Sequence, residues 1–160
     1  MALQMLYQHD LGESPLRQIF STFDPGGYLR VGAESGDNGD GSQDRGQLRR
    51  EGDRLSRRNR EAFRYAKQLV SGTLDHREEI DDLIREQADN WRLERMPAVD
   101  RNILRLAIFE MLYEEDVPKL VVVDEAIELA KRFGSDQSGR FVNGLLDGLL
   151  KSRELPGHMT

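Results

Sequence analysis

The stretch "PAVDRNILRLAIFEMLYEE" (residues 97–115) constrains the fold more than any other. Advancing about 100° per residue, Val99, Ile103, Leu104, Leu106, Ala107, Ile108, Met111 and Leu112 cover most of a helix circumference rather than one stripe. A helix apolar nearly all round must be wrapped by others, so the segment reads as the central helix of a bundle. Pro97 opens it, and "DVPK" closes it.

Amphipathic segments suited to wrapping it lie on both sides. Leu3, Leu6, Tyr7 and Leu11 recur at helical spacing in the opening residues, and Ser14-Pro15 is an N-cap and first-turn pair for a short helix "PLRQIFSTF". A longer stripe follows through Phe63, Ala66, Leu69, Val70 and Leu74, then Ile80, Leu83, Ile84 and Ala88, with a break near Asp75-His76. In "VVVDEAIELAKRFG" the acids come early and Lys131 and Arg132 late, which complements the helix dipole, and Gly134 suits the position past the end. Val121–Val123 is too short for a strand and has no pairing partner. The expected architecture is all-α, a bundle of about six to seven helices with short connections.

One segment resists this pattern. Seven glycines fall between Gly26 and Gly46 among Asp, Ser and Asn. Residues of about 24–56 therefore read as a disordered insert within a single domain spanning 1–160. Its end is basic: eight arginines between Arg45 and Arg64 face only three acids, a net +5 in a chain of net −6. A polyanion would have to meet such a patch, or meet the protein beside a basic partner. The run Arg49–Arg60 is either a solvated, weakly helical tail or a phosphate contact.

Catalysis finds little footing. The three histidines, His9, His76 and His158, have no metal-ligand spacing, no phosphate loop or nucleophile elbow is present, and cysteine is absent. No enzyme activity, cofactor, metal or small-molecule substrate is expected. No run approaches the roughly 18 apolar residues of a membrane span, and the opening lacks the basic region of a signal peptide. A cytoplasmic location fits, with no membrane partner.

The stretch "FGSDQSGRFVNGLLD" (133–147) poses the functional question. A helix mouth carries unpaired N–H groups and partial positive charge, so it accepts phosphate. Gln137 and Ser138 sit at that mouth and Arg140 adds a full charge. Val142, Leu145, Leu146 and Leu149 define the buried face, with Arg140 opposite. Phe141 falls on the shoulder, able to pack inward or to stack on a base. Asp136 repels phosphate and reads as a cap. Asn143 reads as a buried amide held by a structural hydrogen bond, and Gly144 and Gly148 as a close helix approach. On the central helix, Arg101 and Arg105 share a face four residues apart, and they read either as solvated side chains pairing with nearby acids or as an RNA contact.

Together, "ALQMLYQHD", "LVSGTLDHREEIDDLI", "VDRNILRLAIFEML" and "DVPKLVVVDEAIELAKRFGSDQSGRFVNGLLD" resemble the NusB family of transcription antitermination factors over residues 2–22 and 61–150. The resemblance implies two small helical subdomains. It implies pairing with the small-subunit ribosomal protein that doubles as NusE, and binding of the pair to boxA-type single-stranded nascent RNA. That would place the chain in the RNA polymerase antitermination complex on ribosomal RNA operons. It further implies RNA contact at Phe141 and its neighbours Gln137, Ser138 and Arg140, and partner contact at Tyr7 and Asp100. Tyr7 reads equally as a core residue with its hydroxyl at the surface, and Arg101 and Arg105 are RNA candidates from their shared face, not from the resemblance. Two departures stand out. Relatives carry an arginine-rich segment before the first helix, so the expectation is a start lying upstream or a reduced RNA surface. They also have a short link where this chain has its insert. The alternative function is a NusB-like protein-interaction module with little RNA binding. The related ribosomal RNA cytosine methyltransferases, which need a cysteine nucleophile and a following domain, do not fit.

Overall fold

The computed structural model describes residues 1–24, 45–88 and 91–153. These form seven α-helices: α1 (Ala2–Gly12), α2 (Leu16–Thr22), α3 (Arg45–Asp75), α4 (Arg77–Gln87), α5 (Ala98–Tyr113), α6 (Lys119–Phe133) and α7 (Ser138–Arg153). A single 3-10 turn, Leu93–Arg95, joins α4 to α5. No strand occurs among the described residues, and Val121–Val123 lies in the first turns of α6. No described helix is long and apolar enough to cross a membrane.

Helix α5 is central, as its composition requires. It packs against α1, α3, α4, α6 and α7, and Ile103, Leu104 and Ile108 are essentially inaccessible. Its start follows Pro97, whose fixed φ and missing N–H suit a helix entrance. Pro118 stands in the same position before α6.

The boundaries shift where local chemistry differs from expectation. Helix α2 begins one residue later than the Ser14-Pro15 reading, with Pro15 as its N-cap. The Pro15 carbonyl accepts the N–H groups of Gln18 and Ile19. The break at His76 is real: α3 ends at Asp75, and the His76 ring donates from Nδ1 to the Gly72 carbonyl at 2.9 Å. The insert expected at about 24–56 is corrected at its far end, because residues 45–56 are already helical; residues 25–44 lie outside the described residues. In the sequence Leu48 and Leu55 stand seven residues apart, a helical spacing that continues upstream of Ser56.

Glycine is required at Gly72, where a Cβ would fall on the Phe109 ring and separate α3 from α5. Of the two α7 glycines, Gly148 meets Gln87 of α4, whereas Gly144 faces open space. Close approach therefore explains one of them.

Glu110 of α5 is half-buried beside a cavity of about 300 Å³ that also exposes Tyr65, Glu125 and Phe133. Burial, reinforced by Glu125 and Glu114, pushes its carboxyl up to about 7. Folding thus favours the protonated form. That contribution is complete below the unfolded value of about 4.3 and is lost as pH rises through about 7. Glu110→Gln is expected to remove this loss, so its thermal midpoint should exceed that of the wild type at about pH 8 but not at about pH 5. Scanning calorimetry at both pH values checks it.

Candidate nucleic-acid interface

The turn from α6 into α7 is built by serines. Ser138, 1% exposed, accepts the Ser135 N–H on its Oγ at 2.9 Å and lies 3.2 Å from the Ser135 hydroxyl. Gly134 has extended backbone there (φ −94°, ψ −166°), not the left-handed turn. It is glycine because a Cβ would collide with Ser138 and the Ala130 carbonyl. Asp136 is exposed and makes no cap hydrogen bond among the described residues.

This turn holds one wall of a cleft of about 440 Å³ lined by Trp91, Met96, Pro97, Asp100, Ser135, Gln137, Arg140 and Phe141. Phe141 is half-buried against the core and meets Trp91 edge-on, with ring centroids 6.0 Å apart and planes at 62°. Trp91 is 60% exposed, the largest apolar side chain the described surface offers to solvent. Arg140 and Gln137 are exposed at the rim. Asp100, 4% exposed, sits at the base, where its Oδ1 has no hydrogen-bond partner among the described residues. Two accessible aromatic faces, an exposed guanidinium and an amide can stack a flat ring and hold an anion next to it.

The opposite wall is fixed from behind. Arg101 donates from Nε and Nη2 to Oδ2 of Asp10 at 3.0 and 2.6 Å, and from Nη1 to the carbonyls of Leu93 and Met96, both at 3.3 Å. Asn102 donates to the same Asp10 oxygen at 3.0 Å. Arg105 grips Asp81 of α4 with a two-bond fork, Nε to Oδ1 at 2.8 Å and Nη2 to Oδ2 at 3.1 Å. Burial pushes the Asp10 carboxyl up, but hydrogen bonds from Arg101 and Asn102 and the nearby guanidiniums outweigh it and leave it below its ordinary value. The network ties α1 and α4 to α5, and through two carbonyls it fixes the turn that presents Met96 to the cleft.

Comparison with known proteins decides the family. The profile of the NusB family matches residues 31–151. The chain belongs to the NusB family. It is 51% identical over 92 residues to the transcription antitermination protein NusB of Myxococcus xanthus, a match covering 58% of this chain and 66% of that protein. The Desulforamulus reducens relative is 56% identical over 90 residues, covering 56% of this chain and 63% of that protein. The first two relatives are thus spanned for just under two thirds of their lengths. The Trichlorobacter lovleyi protein is 40% identical over 149 residues, covering 93% of this chain and 84% of its own. Among solved structures, Thermotoga maritima NusB is 34% identical with a TM-score of 0.65, covering 94% of this chain and 86% of that one. The fold also matches a crystal structure of the antitermination factors NusB and NusE in complex with double-stranded RNA, at 25% identity and TM-score 0.64, covering 94% and 91% of the two chains.

Within this NusB fold the residues singled out from sequence separate into two groups. Gln137, Arg140, Phe141 and Asp100 converge on one cleft. Ser138, Arg101 and Arg105 are instead engaged within the fold. Ser138 is consumed by the turn, Arg105 is 3% exposed in its fork with Asp81, and Arg101 is held by Asp10 and two carbonyls. Asp100 is too buried to present a surface to a protein partner; reaching it requires a donor inserted into the cleft. Tyr7, 38% exposed on α1 one turn from exposed Leu11, does stand at the surface. Asn143, expected to be buried, is exposed. Sequence reasoning missed Trp91. The available signal was the chain's one tryptophan, in "DNWRLERMP", outside every amphipathic stripe.

Proposed function

We propose that this chain, acting as one NusB-like RNA-binding domain, is a transcription antitermination factor. It binds boxA-type single-stranded nascent RNA together with ribosomal protein NusE and joins the RNA polymerase antitermination complex. The observation that carries this reading is the exposed Trp91–Phe141 pair with Arg140 at the rim. An unpaired base stacks on the aromatic faces while its phosphate meets Arg140 and the mouth of α7. The unpartnered Asp100 oxygen accepts an N–H from whatever enters. Tyr7 and Leu11 give the partner protein its accessible apolar edge on α1. The chain works as a cytoplasmic binding protein rather than an enzyme.

Fluorescence anisotropy of labelled boxA RNA, with and without NusE, tests the whole reading. RNA affinity should be higher with NusE present, and Tyr7→Asp should remove that gain without affecting RNA binding by the chain alone. Capture of NusE with no RNA binding in either condition would show a protein-interaction module instead.

A further inference from the structure

Helix α3 starts far ahead of the core it later joins. Over residues 50–64 it exposes Arg50, Arg54, Arg57, Arg58, Arg60 and Arg64. At about 100° per residue, Arg50, Arg54, Arg57 and Arg64 fall within a strip about 80° wide. Ala66, Leu69, Val70 and Thr73, which face the core, lie on the other side of the same helix. At about 1.5 Å per residue the strip runs about 21 Å. Glu61 shares this face, so it remains strongly cationic but not uniformly so. None of the six arginines makes an ion pair among the described residues.

We propose that the ridge Arg50–Arg54–Arg57–Arg64 is a second RNA contact, a rail that holds the transcript's phosphates without regard to base. The proposal rests on the RNA reading above, and adds a site remote in sequence from the cleft. Three features favour an RNA backbone over other anions. Every cation between residues 45 and 66 is arginine, whose planar fork fits phosphate with paired hydrogen bonds. The strip contains no Leu, Ile, Val, Phe or Trp to enter a bilayer, as an interfacial helix needs. The chain outside this segment carries a net charge of −11 (−6 less +5), so attraction for a polyanion is confined to local patches such as this one.

The test is the salt dependence of boxA RNA binding by the full chain, read by anisotropy over a potassium chloride series. Wild type is compared with the variant carrying Arg50→Gln, Arg54→Gln, Arg57→Gln and Arg64→Gln. Each lost phosphate contact makes the slope of log K against log salt shallower by about 0.7 on single strands, up to about 2.8 for all four. Arg50→Gln with Arg54→Gln should give about half that change, which separates lost contacts from a lost helix. Glu61→Gln should tighten binding. RNA bound with the same slope by wild type and the fourfold variant overturns the ridge and leaves the cleft standing. Wild type that binds no RNA overturns both. Unchanged RNA binding with lost attachment to phosphatidylserine vesicles overturns the ridge as an RNA site and makes it a membrane contact.

Discussion

Asp81→Ala is expected to destabilise the fold by about 3–5 kcal/mol, the cost of leaving a buried charge without its partner. Arg105 is 3% exposed and both of its bonds to α4 end on that carboxylate. What remains is the Asn102 side-chain Oδ1 at 3.2 Å and an Asp10 oxygen at 3.5 Å that Arg101 already holds. Replacing both partners with apolar groups, Asp81→Leu with Arg105→Met, should cost far less than the single change. Urea unfolding separates these outcomes: the single variant should shift the midpoint downward with an unchanged slope. A small shift for Asp81→Ala would mean that the pair does not join α4 to α5.

Trp91→Ala and Phe141→Ala should each weaken boxA RNA binding by about 1–3 kcal/mol, roughly 5- to 150-fold. The rings are 6.0 Å apart, so the losses should not add: removing either wall opens the cleft the other depends on. Phe141 also packs on the core, and its truncation costs stability as well. Phe141→Leu keeps most of that packing while removing the aromatic face, so it should bind RNA nearly as poorly as Phe141→Ala yet melt close to wild type. Binding of NusE should be unaffected by all three. Equal loss of RNA and NusE binding would identify a folding defect.

The fold was legible where burial left a periodic trace. Helix α5 could be read because its apolar residues run round most of the circumference, which only a central helix tolerates. The start of α3 was hidden because Leu48 and Leu55 are its sparse apolar markers in a segment dominated by glycine, arginine and acids. At the site, Phe141 and Arg140 were legible because the period of α7 fixes which side each faces. Arg105 was not: an arginine four residues from another reads as surface until its acids are located, Asp81 on α4 and Asp10 on α1. Those contacts are tertiary and leave no mark on local spacing. Trp91 was missed for a related reason, since a lone aromatic between helices has no period and its exposure is set by the turn that Arg101 holds.

Trp91 is the chain's single tryptophan, so its emission reports on the cleft alone. Titrating boxA RNA while following tryptophan fluorescence and RNA anisotropy together therefore tests the stacking claim directly. Emission should be quenched in step with binding, with the effect strongly reduced in Phe141→Ala. Saturating RNA binding with no change in tryptophan emission would place the transcript elsewhere on the molecule and contradict the account.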